Sequence, residues 1–253
     1  DCSHPGVRLL KRQGEYFLSG KIDLVKRVPS EHKYFEVTPK QARLIFESKG
    51  WSRVVGFHTR NVVHRVHEHI QMLAFEKYHC DGLFIHPVIG PKKEGDYTAD
   101  IILKTYELII NKYYPKDKVF LAAFQNYSRY CGPREAVFTA LCRKNFGCSH
   151  FIVGRDHTGV GNHYKLDDAH RLFERLGDIG IVPIFFNEMH YCRKCGKYIE
   201  KCEHDKSDIL SVSGTEGRNM LKLRKIPPEW FMRREISDFI LNEIEANKEV
   251  FVK

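Results

Sequence analysis

The strongest constraint on the fold is an alternation that runs through most of the chain. Short β-rich apolar runs at 53–57, 83–86, 119–123, 151–153 and 179–186 are separated by stretches of helical spacing at 65–78, 98–111, 134–145 and 167–176. Strand–helix–strand units of this length predict an α/β fold, a parallel sheet whose strands are joined by crossover helices. Another helix is predicted ahead of the first strand. Thr38 suits the N-cap, Pro39 the first position and Gln41 the third, with an end at Gly50. In such sheets ligands bind beyond the carboxyl ends of the strands. The loops after Phe57, His86, Ala123 and Val153 are therefore expected to meet at one site.

Charge narrows the partners. The formal net charge is +9, which suits either a nucleic-acid surface or a pocket for small anions. The basic residues are scattered, and their densest stretch, 220–234, is broken by Pro227 and Pro228. A small anionic ligand is the expectation, with no nucleic-acid partner. No apolar run approaches the roughly 20 residues that cross a bilayer, so no membrane partner is expected. Residues 1–5 lack the basic start and apolar core of a secretory signal, and they contain no methionine. The chain reads as a fragment or processed product. Eight cysteines without such a signal point to a reducing, cytoplasmic compartment.

Five segments carry chemistry. The first follows the strand at 53–57: His58, Thr59, Arg60 and Asn61 fall in the turn, and His64 and His67 open the next helix. Three residues apart, those two histidines are expected to share a helix face. A helix N-terminus also offers free N–H groups and the positive end of the dipole, which suits phosphate. Surface histidines at a polar helix start are the bland alternative for any one of these residues. The zinc-protease spacing, with histidines four apart, is absent. The second segment follows the strand at 151–153: Gly154, Arg155, Asp156, His157, Thr158 and Gly159, then Val160 and Gly161. Its glycines allow close backbone approach and its basic residues can neutralise phosphate oxygens. No Gly-Lys-Ser/Thr follows, so this is not a P-loop. The third is Tyr130-Cys131-Gly132-Pro133-Arg134-Glu135, where Arg134 either faces the site or pairs with Glu135. The fourth places His86 and Pro87 at another strand end.

The fifth is Cys192-x-x-Cys195-x6-Cys202-x-His204. Three thiolates and an imidazole make a closed tetrahedral zinc set with no position left for water, hence a structural site. Unligated thiols are the alternative.

Together these segments resemble sulfate adenylyltransferase, also called ATP sulfurylase. That family carries Gln-Thr-Arg-Asn-Pro-x-His-Arg-x-His, then His-Pro-Leu-x-Gly, Arg-Tyr-Ala-Gly-Pro-Arg-Glu and Gly-Arg-Asp-His-Ala-Gly. Ser213-Gly214-Thr215 with Arg218 and the opening Asp1-Cys2-Ser3-His4-Pro5-Gly6-Val7 also match. The resemblance implies a Rossmann-like nucleotidylyltransferase core at 36–187. Residues 1–35 would be the tail of a PUA-like domain otherwise missing, and 188–253 a zinc-stapled helical lobe. It implies conversion of ATP and sulfate, with magnesium, to adenylyl sulfate and pyrophosphate. It also implies self-association, and a fused or associated adenylyl-sulfate kinase is compatible with it. Arg60, Asn61, His64, His67 and Arg155 would do the catalysis. His58, Thr59, His86, Gly154, Asp156, His157, Thr158 and Gly159 would line the substrate pocket. His58 replaces the family's glutamine, which belongs to its sulfate pocket. Val62, Ser128, Cys131, Thr158 and Val160 are further departures.

Overall fold

A computed structural model describes residues 1–26, 29–154, 159–161, 163–165 and 167–253. Its centre is a five-stranded parallel sheet. The strands are β1 (Val54–Phe57), β2 (Gly82–Ile85), β3 (Val119–Leu121), β4 (His150–Val153) and β5 (Val182–Phe185), in the order β3-β2-β1-β4-β5. After β1 the chain moves outward through β2 and β3, then returns to the other side of β1 as β4. That reversal opens a crevice beyond the carboxyl ends of β1 and β4.

Both faces of the sheet are covered, which explains why every residue of β1 and β2 is buried. Successive strand residues point to opposite faces. Val55, Leu83, Ile85 and Ile152 pack with Ile70 and Ala74 of α3 (Arg65–Lys77) and with Ile102, Tyr106 and Ile109 of α4 (Ala99–Tyr113). Val54, Phe84, Phe151 and Val153 face the other way. They meet Ala42 and Phe46 of α2 (Pro39–Ser48), Ala136 and Ala140 of α5 (Pro133–Phe146), and Ala169 and Phe173 of α6 (Asp168–Leu176). α2 starts as its sequence implies. Thr38 and Gln41 cap each other reciprocally, and Gly50 takes a φ of 68° just beyond the end.

Two features differ from expectation. Residues 16–18 suggest a strand, but Tyr16, Phe17 and Leu18 are exposed coil, 80% or more open to solvent. A single extended run needs a neighbour for its N–H and C=O groups, and no described strand lies beside it. The ordered element in that region is α1 (Pro5–Lys11). Its N-cap, His4, accepts from the Gly6 N–H and contacts the Tyr130 carbonyl at 2.8 Å, docking the segment on the core. After β5 the chain forms an antiparallel ribbon of β6 (His190–Cys192), β7 (Lys197–Ile199) and β8 (Ile209–Leu210), ordered β7-β6-β8. Strands of two or three residues are too short to show a period in sequence. Helices α7 (Gly214–Lys222) and α8 (Arg234–Glu245) follow, and α8 lies against α4. Among the described residues no helix is long and apolar enough to cross a membrane.

Candidate functional site

The loop after β1 is built by its own backbone. The Thr59 hydroxyl accepts from the Asn61 N–H at 3.0 Å, and the Thr59 carbonyl accepts from Val88 N–H at 2.8 Å. Pro87 and Ile89 are bonded in turn to Phe124. The loops after β1, β2 and β3 therefore do meet, at the carboxyl edge of the sheet. Gly154 leaves β4 beside them, since β4 pairs with β1. Gly159 is buried. Arg155, Asp156, His157 and Thr158 lie outside the described residues.

His64 is the N-cap of α3, in extended conformation, and not on the helix face. A cap residue sits before the first helical turn, so spacing alone cannot put it in register with His67. The two rings meet by another route. The His64 N–H donates to His67 Nδ1 at 3.3 Å, which leaves the His67 ring proton on Nε2, and the ring centroids are 4.9 Å apart. Phe231 stacks on His64, at 4.5 Å and 28°.

Helix α7 brings a second N-terminus to the same place. Ser213 and Glu216 cap it reciprocally. A Cβ on Gly214 would stand 3.9 Å from His64 Nε2. Arg218 donates to Asn61 Oδ1 at 3.2 Å and to Thr215 Oγ1 at 3.0 Å. Arg60 lies over the Tyr130 ring, 4.8 Å from its centroid, and its buried Nη1 has no hydrogen-bond partner among the described residues. Two helix N-termini, two arginines and two histidines converge on the crevice, an arrangement that binds phosphate-like anions.

Burial holds His67 down near 4, opposed by its contact with the Val62 carbonyl. Burial also holds His64 well below the ordinary histidine value, with His67 and Arg218 adding to the effect. Both rings are neutral at pH 7. The unfolded chain takes up protons near 6.5, while folded His67 does so only near 4. Between those values the unfolded state binds more protons, so stability falls as pH drops through that window. We expect His67 to account for a loss of about 2 kcal/mol between pH 7 and pH 4, the full shift being discounted for a ring that is only partly enclosed. Urea unfolding across that range should be less pH-dependent for His67→Gln; equal slopes would refute the assignment.

Other candidates fall elsewhere. His86 is completely buried among Phe84, Phe124 and Phe146 at 4.4–5.0 Å, so its ring is part of the aromatic core beneath the crevice and does not line it. Arg134 is exposed. Glu135 instead accepts from the Arg129 and Cys131 N–H groups at 3.0–3.1 Å, fixing the loop that carries Tyr130. Composition and spacing did not reveal Arg143, which is wholly buried. Its Nη2 donates to His58 Nδ1 at 2.8 Å and to the His86 carbonyl at 2.6 Å. One signal for it existed. Gly56 interrupts β1, and a Cβ there would come within 2.9 Å of Arg143 Cγ.

The ligand atoms of Cys192, Cys195, Cys202 and His204 all lie within 4.8 Å of one another. Gly196 at φ 65° closes the turn, and Cys195 N–H points at Cys192 Sγ, 3.4 Å away. Burial alone would raise the Cys192 thiol, but hydrogen bonds from Cys195, Cys202 and His204 bring it down to about 7. Three thiols and an imidazole gathered this closely suit a divalent metal.

The ATP-sulfurylase family model matches residues 33–243. A sulfate adenylyltransferase of Symbiobacterium thermophilum is 45% identical over 250 residues, covering 97% of this chain and 63% of that protein. One from Pyrococcus abyssi is 45% identical over 242 residues, covering 95% and 63%. The chain thus spans about 63% of the length of these relatives. A solved structure described as a hexameric APS kinase from Thiobacillus denitrificans shares the fold, with a TM-score of 0.69 and 20% identity over 88% of this chain and 42% of that one. The crevice with its two helix N-termini is thus carried by a chain that belongs to the ATP-sulfurylase family.

Proposed function

We propose that this chain carries the catalytic portion of a sulfate adenylyltransferase. Residues 36–187 would be the nucleotidylyltransferase core, 188–253 a zinc-stapled lobe held by Cys192, Cys195, Cys202 and His204, and 1–35 the tail of a PUA-like domain. The supporting observation is the meeting of His64, His67 and the Asn61–Arg218 pair at two helix N-termini, in a chain 45% identical to sulfate adenylyltransferases.

Sulfate is fully ionised at neutral pH, so the reaction needs no general base. A sulfate oxygen forms a bond to the α-phosphorus of ATP as the bond to the bridging oxygen breaks, and pyrophosphate leaves; magnesium bound with ATP would offset the phosphate charge. The work is positioning and stabilisation of charge at phosphorus. His64 and His67, neutral before binding, are donors to α- and β-phosphate oxygens. Asn61, held by Arg218, orients the triphosphate. Arg60 and Arg155 carry the acceptor anion and the developing charge. Thr59 shapes the turn, while Gly154, Asp156, His157, Thr158 and Gly159 form the nucleotide pocket. His86 acts from beneath, through its carbonyl on Arg143. The reverse reaction, making ATP from adenylyl sulfate, uses the same groups. Self-association is the expected state of the full-length protein. A fused or associated adenylyl-sulfate kinase would consume the product.

His58 favours keeping a second acceptor open, because an imidazole stands where the family has an amide. Pyrophosphate release from ATP should be measured on the full-length protein with sulfate, molybdate and phosphate in turn. Sulfate-dependent release is expected. Silence with every acceptor would overturn adenylyl transfer, and release only with another oxyanion would overturn sulfate.

A further inference from the structure

The ribbon that carries the cysteine cluster also carries two tyrosines, and both grip one residue. Tyr191, next to Cys192, stacks on Trp230 at 5.7 Å and 17°. Tyr198, three residues after Cys195, donates its hydroxyl proton to the Trp230 carbonyl. The next residue is Phe231. Its ring stacks on His64, and its carbonyl accepts the N–H of Arg65, the first residue of α3, at 2.9 Å. Its position is tightly bounded. A Cβ on Gly217 of α7 would come 2.5 Å from the Phe231 ring, and the Phe231 and Met232 N–H groups both close on the Pro228 carbonyl at 2.8–2.9 Å. Trp230 and Phe231 therefore form one rigid turn, held by the ribbon on one side and bearing on His64 and the start of α3 on the other.

The cluster links the end of β6, the turn after it and the segment that follows β7. The ribbon's strands have three, three and two residues, too short to be stable as an isolated sheet. Small units of this kind fold as the metal binds.

We propose that the Cys192–His204 cluster controls the nucleotide site: with its four side chains closed around a divalent cation, Tyr191 and Tyr198 hold Trp230 and Phe231, and Phe231 sets the orientation of His64 and the first turn of α3. This rests on His64 being a nucleotide contact. The class of regulator is any chemistry that opens the cluster, namely chelation or oxidation of its thiols. Phe231 is a positioning residue and touches no substrate.

The chain has two tryptophans, Trp51 and Trp230, so emission lost in Trp230→Phe isolates the relevant one. Zinc-loaded full-length protein and the same protein stripped with a chelator should be compared for Trp230 emission and for ATP dissociation constant, without acceptor. Stripping should shift the Trp230 emission to the red and weaken ATP about tenfold, within the usual range of coupling between sites, and added zinc should restore both. Tyr191→Leu combined with Tyr198→Phe should keep one equivalent of zinc and yet bind ATP as the stripped protein does. Unchanged Trp230 emission on stripping would overturn the proposal, as would shifted emission with unchanged ATP affinity. Zinc-loaded protein that binds no ATP at all would instead overturn the nucleotide reading beneath it.

Discussion

His64→Asn should lower the turnover of adenylyl transfer by about a hundred- to a thousandfold, the usual cost of removing one preorganised donor from a charge-stabilising site. The imidazole is fixed by more than its own backbone. Phe231 stacks on it, the His67 ring lies 4.9 Å away, and a Cβ on Gly214 would stand 3.9 Å from its Nε2. An asparagine can still cap the helix, so α3 should persist while the longer reach of the ring is lost. His67→Asn should have a similar effect, because His64 N–H holds that ring by Nδ1 and leaves Nε2 as the donor. The measurement is the initial rate of pyrophosphate release at saturating ATP and sulfate, with the thermal midpoint followed in parallel. Rates within fivefold of the parent in a folded variant would remove these histidines from the chemistry.

The elements that sequence reveals here are those whose cause is local. Thr38, Gln41 and Gly50 mark α2 because capping and a left-handed exit are properties of neighbouring residues. The strands of the sheet are legible because each is a short apolar run bounded by helices, and their parallel pairing follows from the crossovers. The position of the site followed from the same rule, since loops after β1 and β4 must share a crevice if the strand order reverses between them. What could not be read depends on distant partners. His64 owes its setting to Phe231 and to α7, more than 140 residues away in sequence, and no period links them. Arg143 has no mark in its own helix, and only Gly56, where a Cβ would meet Arg143 Cγ, signals that this side chain runs over the sheet. The three-residue spacing placed His64 on the helix face with His67, because spacing records order and not which residue caps the helix.

Arg143→Met should leave stability nearly unchanged and still cripple binding of the acceptor anion. Its guanidinium is fully buried, lies 4.3 Å over the Phe124 ring and donates to His58 and to the His86 carbonyl. No ion pair with a carboxylate compensates it among the described residues, and its Nε and Nη1 have no hydrogen-bond partner there. Burial pulls its pKa down to about 10, with the thiols of Cys142 and Cys148 acting the other way, so the charge persists at pH 7. Two charge-assisted hydrogen bonds contribute about 1.5–3 kcal/mol each, while burying an ion costs several kcal/mol. These terms nearly cancel, and methionine fills much of the same volume, so the unfolding free energy should change by less than about 2 kcal/mol. The field of the charge has no such offset. At an effective dielectric of about 20, a unit charge roughly 8 Å from an anion is worth about 2 kcal/mol, or about thirtyfold in affinity. The KM for sulfate should rise by about that factor, and the ATP dissociation constant should rise less because its phosphates reach further along the two helix N-termini. Arg143→Lys, which keeps the charge but shortens the hydrogen bonding, should fall between. A large loss of stability in Arg143→Met would make this residue a structural support of His58, and an unchanged sulfate KM would mean that its charge is not felt in the crevice.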